Sequence, residues 1–164
     1  QQKGKYIQDL PEEKWVWWYK NKKIKREEYY LKGEENGLVI ELDSLGNVLT
    51  KGQYSFGERE GEWFYVINDF KEVGEYIGGM KTGIWKTTYL NTGNVKYIGE
   101  FLNDIPLGEH KEFHSNGKVK EVGKYKDGEK NGEWKKYNYD GEIIVTYLYK
   151  RGVEFKRDGF KIKE

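Results

Sequence analysis

Residues 121–134 read EVGKYKDGEKNGEW. A glycine stands two residues before a ring, a charged turn follows, and a second glycine stands two residues before a tryptophan. The first half of the phrase returns with Gly52 before Tyr54, Gly74 before Tyr76, Gly99 before Phe101 and Gly123 before Tyr125. The second half returns from Gly37, Gly61, Gly83, Gly108 and Gly132, at intervals of 24, 22, 25 and 24 residues, and an earlier copy, EKWVWWYKNK, starts at Glu13. A fixed period of this length marks a repeat architecture, so it takes precedence over local propensities. We read six units across 13–152, starting near 13, 37, 61, 83, 108 and 132, with an N-terminal flanking segment (1–12) and a lysine-bearing cap segment (153–164) at the last edge.

Each unit holds two short β-like runs. Between them stand Leu45-Gly46, Asn68-Asp69, Thr92-Gly93, Asn116-Gly117 and Asp140-Gly141, which we read as type I′ hairpin turns because such turns need positive φ at both central residues. The connections between units, such as KDGEKNG at 126–132, are again charged and glycine-rich. Hairpin should therefore follow hairpin in an all-β, elongated, single-layer antiparallel meander of about six hairpin repeats, with no room for helices. Gly52, Gly74, Gly99 and Gly123 are the expected structural glycines, each letting a neighbouring ring lie over bare backbone. Tyr147 and Glu28 hold the same slot in the last and first copies, as terminal repeats often deviate. Trp134 and Tyr137 are three apart, so rings are expected on both faces.

The 164 residues are 36% hydrophobic, 35% charged and 16% aromatic, with 21 glycines. A large layered core is excluded, yet so many rings argue against disorder. Lysine and arginine (29) nearly balance aspartate and glutamate (28), leaving no global field to gather nucleic acid. Cysteine is absent, which removes disulfides and thiolate metal sites. No apolar run approaches the roughly 20 residues that span a bilayer. The first residue is Gln1 rather than Met; we read a segment removed upstream and favour an exported or envelope location over a cytoplasmic one.

The words YIGEF at 97–101 and VGKY at 122–125, followed by a charged turn and G-x-W, resemble MORN repeats, and the G-E-W…N-G spelling resembles the bacterial MORN variant of antitoxin-type proteins. The resemblance covers 13–152. It implies a sheet that serves as a platform for protein partners and, in some members, lipid; the antitoxin type implies one toxic partner protein. His110 and Val39 stand where the pattern has tryptophan, and Asn68-Asp69 lacks the turn glycine.

Two histidines, His110 and His114, are four apart on a strand, roughly 13 Å at the usual rise and too far to share one zinc ion. His110 reads instead as a replaced tryptophan. The many carboxylates, Asp104, Glu109, Glu112, Asp127 and Glu129 among them, have no dry pocket in a thin charged sheet to raise a pKa for general acid work. We therefore expect no catalytic residue, metal ligand or cofactor. Trp63, Trp85 and Trp134, with Tyr76, Phe101 and Tyr125, should form ladders across strands about 4.8 Å apart. They are also the candidate partner-binding residues if one face stays open. The expected function is a noncatalytic scaffold for an unidentified protein, with an envelope module that binds carbohydrate or lipid headgroups through aromatic stacking as the alternative and nucleic acid disfavoured.

Overall fold

The computed structural model describes residues 1–161, and every regular element among them is a strand. The strands are β1 (Gln2–Ile7), β2 (Leu10–Trp18), β3 (Ile24–Leu31), β4 (Glu34–Glu35), β5 (Gly37–Leu42), β6 (Val48–Ser55), β7 (Glu58–Ile67) and β8 (Phe70–Ile77). They continue as β9 (Met80–Tyr89), β10 (Val95–Leu102), β11 (Ile105–Phe113), β12 (Val119–Lys126), β13 (Glu129–Tyr137), β14 (Ile143–Lys150), β15 (Val153–Arg157) and β16 (Phe160–Lys161). All belong to one open sheet in sequence order, with only β4 off the path as a second partner of β3. The fold is thus an all-β, single-layer antiparallel meander. By internal contacts the chain divides into two bodies, residues 1–68 with 72–80 and residues 69–71 with 81–164.

Six hairpins follow the period of the sequence. The segment 1–12 is not external to them: β1 pairs with β2, and its Lys3–Tyr6, KGKY, repeats the glycine-before-ring spelling. At the other end β15 pairs with β14 and β16 with β15; residues 162–164 of the cap segment lie outside the described residues.

The two kinds of turn are distributed differently from the sequence expectation. Positive φ at both central residues, the type I′ requirement, occurs in the charged connections between units: Gln8-Asp9, Lys32-Gly33, Phe56-Gly57, Gly78-Gly79, Asn103-Asp104, Asp127-Gly128 and Arg151-Gly152. Within units a single turn residue is left-handed: Gly46, Gly93, Gly117 and Gly141, with Lys22 and Asn68 in the two turns that lack the glycine. In the 43–47 loop the Gly46 amide donates to the Asp43 carbonyl and the Asp43 amide to the Asn47 carbonyl, a longer loop in which one left-handed residue suffices. Expecting type I′ turns at Asn116-Gly117 and its equivalents was therefore wrong, because that expectation took the pair alone and not the extra residues around it.

Turns of both kinds are tied to the next repeat. Within-unit turns donate side-chain hydrogen bonds to carbonyls about one period on: Tyr19 Oη to Leu42, Asn21 to Ser44, Tyr89 Oη to Phe113, Asn94 to Ser115 and Asn116 to Tyr139. His114 Nε2 donates to the Tyr137 carbonyl at 3.0 Å in the same manner, so this histidine takes the tyrosine's place in a turn ladder. Connections between units do likewise through backbone, with the amides of Gly33, Gly57 and Gly79 donating to the carbonyls of Pro11, Glu35 and Arg59.

Candidate functional site

One residue of each unit decides how the ring face packs. On β12, Val122 pairs with Lys135 and Lys124 with Asn131, so Gly123 alone faces three residues of β13. The bulge is made by Gly132 at φ +76, and Gly61 and Gly108 repeat it at +68 and +69. An extra residue at a bulge re-aims the side chain that follows it, here the indole of Trp134, which lies flat over Gly123. A Cβ built on Gly123 would stand 2.0 Å from Trp134 Cδ2; on Gly52 it would stand 2.2 Å from Trp63, and on Gly4 1.9 Å from Trp15. The indole N–H then donates to the carbonyl after the glycine, Trp63 to Gln53 and Trp134 to Lys124, both at 3.2 Å.

Flanking rings close each indole edge-on. Tyr54 and Tyr76 flank Trp63 at 5.0 and 6.0 Å, and Tyr125 and Tyr149 flank Trp134 at 5.1 and 6.2 Å. A cation four residues before the indole caps it: Arg59 lies 5.4 Å from Trp63, Lys81 3.8 Å from Trp85 and Lys130 3.8 Å from Trp134. Cation and ring attract through the ring quadrupole. Sequence reading missed this basic residue, although its fixed offset from tryptophan in three units was the signal. Trp63, Trp85, Trp134 and Tyr76 end at 2, 1, 4 and 6% exposure. Their faces are used up inside the ladder and cannot stack flat on a partner or a sugar; Phe101 and Tyr125 are half-buried. Gly52, Gly74, Gly99 and Gly123 are all buried. Rings also occur on the opposite face, where Tyr137 lies with Glu133 and Lys135, and Phe64 with Lys51.

The ladder is interrupted twice, in different ways. In the first body Glu28 occupies a glycine slot opposite Trp15, and the residue that register places over it on β5 is the small Val39 instead of tryptophan. Glu28 is buried, and its carboxylate accepts from Arg26 Nε and the Tyr30 hydroxyl. Arg26 also faces Glu35 and Glu41 at 3.9 and 3.7 Å. Burial, followed by the charge of Glu28, raises the pKa of Glu35, with Arg26 opposing. A raised acid contributes stability that is present below its unfolded value near 4.3 and is lost as pH rises through its folded value. Glu35→Gln should therefore raise the melting temperature at pH 7, and the gain over wild type should vanish below about pH 4; thermal melts across that range check it.

In the second body the tryptophan itself is replaced, by His110 over Gly99 and opposite Gly123. His110 Nε2 donates to the Glu100 carbonyl at 3.0 Å, the equivalent of the indole bond. With Nε2 carrying its hydrogen, Nδ1 accepts from the Tyr97 hydroxyl at 2.6 Å. That hydroxyl fills part of the space over Gly99. The rest of the missing indole leaves a recess of about 100 Å³, lined by Tyr97, His110, Glu112, Glu121, Tyr125, Lys130 and Trp134. In the other body a second ring stacks two residues beyond the indole, as Tyr65 does on Trp63 at 5.6 Å; here that position is Glu112. Among the described residues, no group of three or more His, Asp and Glu is placed to hold a metal ion.

No protein-family model matches this chain, and no curated protein matches it.

Proposed function

We propose that the chain is a noncatalytic scaffold that docks another protein. The supporting observation is the edge formed by the connections between units in the first body. Ile7, Leu10, Leu31, Phe56 and Ile77 flank successive turns there and are 46, 46, 36, 66 and 54% exposed. Successive turns are two strands apart, so these side chains recur about every 10 Å, and a row of exposed apolar groups rimmed by charge suits a protein partner. The indole faces are packed away, so docking falls to the exposed apolar side chains at these turns instead of the ladder rings expected from sequence. In the antitoxin-like version of this proposal, which rests on the resemblance to bacterial MORN repeats, the partner is a toxic protein.

Pull-down from the native cell with wild type and with Phe56→Glu and Ile77→Glu tests it. We expect a partner bound by wild type and weakened at least tenfold by the pair of substitutions, with the melting temperature unchanged, since surface changes stay within about 0.5 kcal/mol. Undiminished capture by the variants would overturn the docking edge.

A further inference from the structure

We infer that the apolar edge of the first body receives a basic amphipathic α-helix of its partner. The inference rests on the docking edge proposed above and names the element that fills it. Spacing, continuity and charge all point to that element.

Ile7, Leu31 and Ile77 each follow a ladder tyrosine, Tyr6, Tyr30 and Tyr76, whose rings pack on Trp15 and Trp63. Successive side chains of a strand alternate in direction, so these aliphatic groups stand on the face away from the indoles. Leu10 joins them as the cross-strand partner of Ile7, and Phe56 lies in the turn of the intervening unit. Turns recur about every 10 Å, two strand spacings. An α-helix presents residues i, i+7 and i+14 on one face in steps of about 10.5 Å, so one helix meets Leu31, Phe56 and Ile77 with three apolar residues in turn. An extended strand repeats one face about every 6.6 Å and offers no matching step. The turns also reach one another: a Cβ on Gly33 would stand 3.1 Å from Leu10 Cδ2, and one on Gly78 3.5 Å from Glu58 Oε2. The helix therefore meets a continuous strip.

Five carboxylates line that strip. Asp9 is in the first turn, Glu34 is the cross-strand partner of Leu31, and Glu58 opens the strand that follows Phe56. Glu12 and Glu60 accept from the amides of Lys32 and Gly78 in the turns that follow their own. Among the described residues none of the five forms an ion pair. Of the bases at these turns, Lys5 is bound to Glu13 at 2.5 Å and Arg59 lies over Trp63 on the other face, which leaves Lys32 to oppose them. An apolar row with an excess of carboxylate along it is complemented by an apolar helix stripe flanked by lysine or arginine, whose long side chains reach outward. Two copies of this edge would set like charges together, so the occupant is not a second copy of the edge.

The test titrates the intact chain with three synthetic peptides of about 21 residues, enough for three seven-residue steps. One carries leucine at every seventh residue of an alanine- and lysine-rich sequence. The second has glutamate for each lysine, and the third is a proline-rich, lysine-bearing sequence with leucine at every third residue. The lysine helix should bind saturably, with a gain of helical circular dichroism, and at least tenfold more tightly than either of the others. Phe56→Glu with Ile77→Glu should weaken it at least tenfold, and so should Glu34→Lys with Glu58→Lys, which leaves the apolar row intact; melting should be unchanged in both. Failure of the lysine helix to bind, equal binding of the glutamate peptide, tighter binding of the proline-rich one, or indifference to either pair of substitutions would overturn the inference. The native pull-down reads the edge and the titration reads the helix: a partner lost on Phe56→Glu and Ile77→Glu, with no lysine helix bound, overturns this inference and leaves the docking edge standing.

Discussion

Gly123→Ala should lower stability by about 3–5 kcal/mol, because the new methyl would stand 2.0 Å from Trp134 Cδ2 and displacing a buried indole forfeits what deleting it does. Gly123→Val should leave the chain unfolded, since total stabilities are of the order of 5–15 kcal/mol. Gly132→Ala is the contrast. Its φ of +76 makes any side chain strained, yet a Cβ there would meet nothing within 4 Å, so the expected loss is only about 1–2 kcal/mol. Pairing Gly123→Ala with Trp134→Ala separates collision from strain. Once the indole is gone the alanine costs little more, and the coupling should reach about 2–3 kcal/mol. Urea denaturation of the four proteins measures this, and additive losses would mean that the indole does not need the bare backbone.

The same bulge explains which parts of the molecule could be read from the chain. Period, strand pairing and the ring-over-glycine slot depend on spacing along one strand, and spacing is visible in sequence. Even the substitutes were legible: Tyr147 pairs with Trp134, Glu28 with Trp15, and His110 takes the indole's hydrogen bond. What escaped depends on how neighbouring units meet. Trp63 looks like an exposed platform until Tyr54, Tyr76 and Arg59 are placed around it. The recess beside His110 needs two losses in register, an indole and the ring beyond it, and register is set by the bulge at Gly108. The apolar edge was hidden for a different reason. Ile7, Leu31 and Ile77 are single aliphatics separated by whole hairpins, and only stacking of the turns makes them a row.

The second large effect concerns Glu28 and Val39, which the register makes one another's complement. The slots at Gly4 and Gly52 in this row hold a glycine under an indole; this one holds a carboxylate under a valine. Val39→Trp alone should cost about 3 kcal/mol or more, because an indole would be driven into a filled, hydrogen-bonded site. Glu28→Gly alone should cost a similar amount, since it leaves a void under Val39 and strips the buried partner from Arg26 and Tyr30. Made together, the two rebuild the slot found at Gly52 and Trp63, with Glu35 and Glu41 still at hand for Arg26. The double variant should therefore lie within about 1 kcal/mol of wild type, a coupling of about 5 kcal/mol that exceeds the roughly 3 kcal/mol at the top of the usual range for contacting residues. If its loss instead equals the sum of the two single losses, then Glu28 and Val39 are independent deviations, and the packing rule that links glycine to tryptophan does not govern this end of the sheet.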